Sequence, residues 1–359
     1  MTESSQLVRR AGPGSGPGGA PTAIALSPIL SARYRSRDLE RIRAAAPGAR
    51  VVMVSVEGLA DGPLDDVEVM LRGWLSSDAF DRLLARAPRL TWVHSATSGV
   101  ERALTPASRE RGLVVTNARG VFSRPIAEYV VMMILAVSRR LPQLLELQRE
   151  RTWQPLEGTE LRDVTVGIVG FGSIGRTVAE LVSGFGCRVV AVRRHSERDA
   201  NAPGPTDGDP TTARGTDLRL DRIGGPETLP ELLGESDFVV LAAPLTPETE
   251  DVINADTLAM LKPGAWLINV ARGRLIDERA LLRALRDGHL GGAVLDTFRD
   301  EPLPPMSSFY DLPNVIVTPH TAWSSGRVLD RSVELFCDNL RRYAAGEPLL
   351  NVVDPDAGY

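Results

Sequence analysis

Short apolar runs rich in β-branched residues recur along the chain, and most are followed by a stretch with helical spacing. This alternation predicts parallel α/β architecture. From about Thr22 apolar and polar runs alternate. Residues 39–45 read as a helix, 51–56 and 67–71 as strands, 79–85 as a helix, and 90–93 and 114–116 as strands. Together they predict a first, small parallel unit. A long helix then begins near Pro125, a residue suited to a first turn, and runs toward Gln148. Its apolar richness predicts burial on several sides, with Met132 and Met133 read as core. A second unit opens near Leu161. Its strands are predicted at 164–169, 188–192, 238–243, 266–270, 292–295 and 315–317, with helices at 255–261 and 278–286. A last helix, about 327–345, returns to the first unit.

The second unit is organised around its opening turn. The run Val164-Thr165-Val166-Gly167-Ile168-Val169 leads into Gly170-Phe171-Gly172-Ser173-Ile174-Gly175, then a helix, then a second buried strand. In strand–GxGxxG–helix–strand the first glycine permits the tight turn. The second lets backbone approach a pyrophosphate, and the third lets helix and strand pack closely. Free N–H groups at the helix start face anionic phosphates. Gly170, Gly172, Ser173, Ile174 and Gly175 are therefore predicted to bind a dinucleotide. The first unit has no such fingerprint and is expected to do something else.

Composition narrows the classes. The chain has 359 residues, 43% hydrophobic and 24% charged, which fits about two soluble domains. A net charge of -5 gives no electrostatic reason to expect nucleic acid or an anionic membrane as partner. The N-terminal stretch lacks the apolar run of a signal peptide or membrane helix, so a cytoplasmic protein is expected. Cys187 and Cys337 are far apart, and His94, His195, His289 and His320 have no metal-ligand spacing, so no disulfide framework or metal site is expected. Lys262 is the only lysine. Residues 1–20, rich in Gly and Pro, read as a disordered tail, and 196–225 as a long surface excursion.

In open parallel sheets the ligand crevice lies beyond the carboxyl ends of the strands. Arg272, Asp296 and His320 stand at such ends, with Glu301 just past one of them. In the first unit, Ser98 and Gly99 follow a strand end in a small-residue loop whose amides could receive a carboxylate. His94, Trp74 and Trp323 are equally open to lining a pocket or to plain packing.

These stretches carry a resemblance. Asn269-Val270-Ala271-Arg272-Gly273, then Asp296-Thr297-Phe298-Arg299-Asp300-Glu301-Pro302-Leu303, then Pro319-His320-Thr321-Ala322-Trp323 resemble the signatures of the NAD(P)-dependent D-2-hydroxyacid dehydrogenase family. Leu245-Thr246-Pro247-Glu248-Thr249, Ser98-Gly99-Val100 and Ile126-Ala127-Glu128 are similar to that family too. The resemblance implies an α/β fold of two parallel-sheet domains. One is a Rossmann dinucleotide-binding domain at 124–323. The other is a smaller, flavodoxin-like substrate domain, discontinuous over 21–123 and 324–359, with a closing cleft between them. It implies His320 as general acid/base, Glu301 as its partner, and Arg272 as the grip on the substrate carboxylate. Backbone around Ser98 and Gly99 would bind the same carboxylate. Pro244, Thr249, Ala271 and Asp296 would contact the cofactor, Asp296 through the nicotinamide carboxamide. A homodimer with the long helix at its interface is also implied.

One departure from NAD-preferring relatives bears on the cofactor. They carry an acid at the end of the second strand for the ribose 2′-OH, whereas this chain has Arg193 followed by Arg194. A guanidinium attracts a 2′-phosphate: two unit charges about 4 Å apart interact by about 4 kcal/mol at an effective dielectric near 20, before desolvation. NADP(H) is therefore expected over NAD(H), with NAD(H) still usable. The leading expectation is reduction of a small 2-oxo acid of the glyoxylate/hydroxypyruvate type. A phosphoglycerate dehydrogenase-like enzyme and a non-catalytic, corepressor-like nucleotide sensor stay open beside it. A formate dehydrogenase is disfavoured, since its relatives place an amide where Glu301 stands.

Overall fold

The computed structural model describes residues 16, 18–29, 34–194 and 220–355. Most of the expected tail at 1–20 and of the excursion at 196–225 lies outside the described residues. The chain divides into two compact units, one running to Val121 and resuming at Gly326, the other Phe122–Ser325.

The first unit is a five-stranded parallel sheet in the order β2-β1-β3-β4-β5. Its strands are β1 Ala23–Leu26, β2 Arg50–Met53, β3 Val67–Arg72, β4 Trp92–Ser95 and β5 Val114–Thr116. Side chains alternate across a strand, so each face collects every second residue. Ile24, Leu26, Val69, Leu71 and Trp92 form one face and meet Ile42 of α1 (Ser36–Ala45) and Val333, Phe336 and Leu340 of α10 (Val328–Ala345). Ala23, Ala25, Met70 and Val93 form the other and meet Phe80 and Leu83 of α2 (Ser77–Arg86). Both faces are covered, which is why these strands read as continuous apolar runs. Ser76 accepts the Ala79 amide and so fixes the start of α2. A short α3, Pro106–Glu110, precedes β5. Within the stretch predicted as tail, the Gly16 and Gly19 amides donate to the carbonyls of Glu347 and Ala344, just past and within the end of α10.

The second unit is a seven-stranded sheet in the order β12-β11-β10-β9-β6-β7-β8, with every pair parallel. The strands are β6 Thr165–Val169, β7 Arg188–Val192, β8 Arg222–Gly224, β9 Phe238–Leu241, β10 Trp266–Asn269, β11 Gly292–Leu295 and β12 Val315–Val317. The chain leaves β6 in one direction through β7 and β8, then returns to add β9 on the other side. The switch point, where such sheets bind dinucleotides, is between β6 and β9. Helix α4 (Ser123–Ser138) packs along α6 (Ser173–Ser183). Helices α7 (Leu229–Glu235), α8 (Ala255–Ala259) and α9 (Glu278–Arg286) complete the covering. The expected two-domain parallel α/β architecture is therefore what the chain adopts.

Two features correct the sequence reading. The single long helix is two, α4 and α5 (Leu141–Arg149), joined through Arg140 at φ 54°. Pro142 explains the break: in a continuous helix its ring would meet the Ser138 carbonyl, four residues back, and it has no N–H to offer. That carbonyl accepts the Thr159 amide at 2.9 Å instead. α5 buries none of its residues, so the expected burial on several sides applies to α4 only, and even there Met133 is buried but Met132, also expected in the core, is exposed. The end of the supposed excursion is β8, three half-buried residues paired with Val190–Val192. So short an edge strand has no periodicity to announce it.

Candidate active site

The glycine turn has the shape its spacing predicts. Gly170 lies at φ 99°, and a Cβ there would stand 2.4 Å from the Ala243 amide nitrogen, against the end of β9. A Cβ on Gly175 would meet the Gly170 carbonyl oxygen at 2.2 Å, so the close crossing of α6 over β6 requires glycine. Among the described residues, nothing lies within 4 Å of such an atom on Gly172. No side chain caps α6, whose first residues are Ser173 and Ile174. This is a cradle with unused N–H donors and room for an anionic group, and it fits a dinucleotide pyrophosphate. Arg193 and Arg194 follow β7, and the Arg193 amide bonds the Gly224 carbonyl. The Arg194 guanidinium stands 3.5 Å from Glu248, with both side chains about half exposed. The Leu245–Thr249 turn is closed by Thr249, whose Oγ1 donates to the Pro244 carbonyl at 2.7 Å and accepts the Thr246 amide at 2.8 Å.

Beyond β10, Asn269 shapes the loop that presents Arg272. Its side chain accepts the buried Ala271 amide at 3.1 Å and donates to the Arg272 carbonyl at 3.0 Å. Gly273 then presses against the segment after β11: a Cβ would be 1.9 Å from the Phe298 carbonyl carbon. Arg299 ties the two loops from behind, through the Ile276 carbonyl, an ion pair with Asp251, and its own amide donated to Glu278. Contact this close holds the Arg272 loop beside the loop bearing Glu301.

Glu301 uses both oxygens. Oε1 accepts the Phe298 amide at 3.0 Å, and Oε2 lies 2.8 Å from His320 Nδ1. Burial works against this carboxylate. The His320 bond, the Phe298 amide and the charges of His320 and Arg272 outweigh it, and hold its carboxyl below the usual range. An ionised carboxylate only accepts, so Nδ1 carries the proton and Nε2 is the nitrogen available for chemistry. His320, Glu301 and Arg272 are thus brought together, and the imidazole keeps access to solvent at 43% exposure.

Asp296 is buried, and both of its carboxylate oxygens are engaged. Oδ1 receives the Thr318 hydroxyl at 2.6 Å and the Thr321 amide at 2.8 Å, Oδ2 receives the Ala322 amide at 3.0 Å, and its carbonyl receives the His320 amide at 2.8 Å. His320 itself sits at φ 49°, in the left-handed region where a side chain costs on the order of 1 kcal/mol. Asp296 therefore fixes the strained segment that projects the imidazole, a function the sequence did not reveal. The Tyr129 hydroxyl stands 2.6 Å from Thr318 Oγ1. A tyrosine inside an apolar helix carries no sequence signal for that contact.

In the first unit, the Ser98 carbonyl accepts from the Asn117 side chain at 3.0 Å and the Gly99 carbonyl from Thr97 at 2.7 Å. This holds the small-residue loop in a defined form. His94 lines no surface: it is fully buried, with Nδ1 2.8 Å from Thr116 Oγ1 and its ring 5.7 Å from that of Phe336. Trp74 is exposed and Trp323 half-buried. Among the described residues no group of three or more His, Cys, Asp or Glu is placed to hold a metal, and no helix is long and apolar enough to cross a membrane.

Comparison with known proteins agrees with this geometry. Residues 131–322 match the model of the D-isomer specific 2-hydroxyacid dehydrogenase NAD-binding domain. The glyoxylate reductase of Thermococcus kodakarensis is 32% identical over 293 residues, covering 79% of this chain and 81% of that protein. A D-isomer specific 2-hydroxyacid dehydrogenase from Xanthobacter autotrophicus, solved with NADPH and MES, superposes with a TM-score of 0.78 at 31% identity, over 95% of this chain and 100% of its own. An NADPH-dependent glyoxylate/hydroxypyruvate reductase from Sinorhizobium meliloti, solved with NADP and sulfate, gives 0.76 at 28% identity, over 94% and 100%. The D-3-phosphoglycerate dehydrogenase of Mycobacterium bovis is 34% identical over 81% of this chain, and the match spans about half (51%) of that longer protein. On fold, glycine cradle and matched length together, the chain belongs to the D-isomer specific 2-hydroxyacid dehydrogenase family.

Proposed function

We propose that this protein reduces a small 2-oxo acid of the glyoxylate/hydroxypyruvate type to the D-2-hydroxy acid, with NADP(H) as preferred cofactor and NAD(H) usable. The observation that carries the reading is the pairing of His320 with Glu301 beside Arg272, at the strand ends of a dinucleotide sheet. The bound reduced nicotinamide would supply the hydride that reaches C2. With Nδ1–H held by Glu301, the ring takes up a second proton at Nε2, and this imidazolium donates it to the carbonyl oxygen as hydride arrives at C2; Glu301 balances its charge and fixes its orientation. Arg272 presents a planar fork of donors suited to the substrate carboxylate, and in the first unit Ser98 and Gly99 would offer backbone amides to a carboxylate. Gly170, Gly172, Ser173, Ile174 and Gly175 would hold the pyrophosphate. Pro244, Thr249, Ala271 and Asp296 complete the cofactor contacts. Arg193 and Arg194 would take the 2′-phosphate.

Support for NADP(H) comes from the two arginines after β7 and from the two neighbours solved with NADPH or NADP. The pair of Arg194 with Glu248 is no obstacle. Half-exposed surface pairs are worth only about 0–1 kcal/mol, and a phosphate's second charge strengthens its attraction for the same guanidinium relative to a carboxylate. We further propose a cytoplasmic homodimer with α5 at the interface. Its Leu141, Leu144 and Leu145, with the fully exposed Trp153 just beyond, are apolar surface that no described residue covers.

The test is NADPH oxidation by the purified protein over glyoxylate, hydroxypyruvate, pyruvate, phenylpyruvate and a phosphorylated 2-oxo acid. Highest kcat/KM on the first two supports the reading. The phosphoglycerate dehydrogenase-like alternative, favoured by the mycobacterial relatives, predicts the phosphorylated acid instead.

A further inference from the structure

The segment carrying His320 is held from behind by two hydroxyl groups that no step above uses. Asp296 Oδ1 already accepts the Thr321 amide, so the single Thr318 hydroxyl proton is directed at that oxygen, at 2.6 Å. Thr318 Oγ1 then has lone pairs left but no proton, and the Tyr129 hydroxyl, 2.6 Å away, must donate to it. The chain of bonds has one direction, Tyr129 to Thr318 to Asp296. Tyr129 is 9% exposed and anchored in α4. Burial, aided by the charge of Asp296 and only partly offset by the Thr318 bond, pushes its hydroxyl up to about 12, so the donated proton persists at any working pH.

Resting on the reading of His320 as the proton donor, we propose that Tyr129 and Thr318 are positioning residues for it. Their hydroxyls fix the rotation of the Asp296 carboxylate. Through the amides of Thr321 and Ala322, that carboxylate fixes the left-handed backbone from which the imidazole projects. A carboxylate free to rotate about its Cβ–Cγ bond would still be bonded, but to amides that could swing with it. Buried α4 supplies a reference point outside the loop. The loop then has one arrangement instead of several, and the proton donor stands where the reaction needs it before substrate arrives.

The experiment compares Tyr129→Phe, Thr318→Val and Thr318→Ser with the parent protein. It reads kcat and KM for 2-oxo acid reduction, melting temperature, and the NMR signal of the His320 ring in the free protein, assigned by its loss in His320→Asn. Thr318→Val is expected to lower kcat roughly tenfold or more, with KM and melting temperature little changed and the His320 signal shifted or broadened. Tyr129→Phe should act in the same direction and less strongly, and Thr318→Ser should recover most of kcat and the parental signal. The proposal is overturned if the parent turns over a 2-oxo acid and both Thr318→Val and Tyr129→Phe keep parental kcat. Equally fatal is a kcat that falls only in step with melting temperature and is not regained by serine. If the parent turns over no 2-oxo acid, the functional reading fails separately; an unchanged His320 signal in Thr318→Val then overturns the positioning claim by itself.

Discussion

Glu301 Oε2 lies 2.8 Å from His320 Nδ1 while Glu301 Oε1 holds the Phe298 amide at 3.0 Å. The carboxylate is therefore pinned to its own loop at one oxygen and orients the imidazole with the other. Glu301→Gln preserves shape and removes charge. Its amide can present either oxygen or NH2 to Nδ1, so the tautomer is no longer imposed. We expect kcat/KM for reduction to fall by roughly tenfold or more, with cofactor affinity unchanged, because the glycine cradle is untouched. Steady-state kinetics beside a cofactor titration checks this.

Arg193 stands where NAD-preferring relatives of this fold place an acid. Arg193→Asp should turn an attraction for the 2′-phosphate into a repulsion, and lower the NADPH/NADH ratio of kcat/KM by roughly tenfold or more. Raising ionic strength should narrow the gap in the parent and leave the variant little affected, since Arg193 is part-exposed and Arg194 exposed. A ratio unmoved by the substitution would assign the 2′-phosphate to other groups.

His94 predicts a pH dependence of stability that is separate from catalysis. Burial pushes its imidazole down to about 3 from an ordinary 6.5, so the folded protein keeps it neutral. Below about pH 6.5 the unfolded chain takes up a proton that the folded chain refuses, and stability falls as pH falls. This group contributes up to about 1.4 kcal/mol per pH unit until its folded value is reached. Urea melts between pH 7 and 5 should show that slope, and His94→Gln should flatten it. Equal slopes in the two proteins would refute the assignment.

Much of this molecule is legible in its sequence because the constraints are local. The turn at Gly170 needs a left-handed residue and the crossing at Gly175 needs no side chain, so the fingerprint and its geometry imply one another. Parallel strands buried on both faces appear as unbroken apolar runs, and β5, β7, β11 and β12 were placed to the residue. What was not legible depends on partners far along the chain. The strand β8 depends on pairing with β7, whereas the break at Arg140 has a local signal in Pro142, which denies the Ser138 carbonyl a helical partner and leaves it to Thr159. His94 in sequence is equally open to lining a pocket or to plain packing, and only Phe336, far along the chain and tilted against its ring, decides for packing. Asp296 reads as a ligand contact, whereas its four hydrogen bonds to residues 318–322 become visible only once β11 and β12 lie side by side.

The central claim is that one imidazole delivers the proton that accompanies hydride transfer. The most direct measurement is kcat/KM for NADPH-dependent reduction of glyoxylate or hydroxypyruvate by the parent protein and by His320→Gln, with NADPH binding followed by fluorescence in both. We predict a loss of about 10²–10⁴-fold in kcat/KM with binding retained. Near-parental turnover in the variant, or a parent that binds NADPH and reduces no 2-oxo acid, would contradict it.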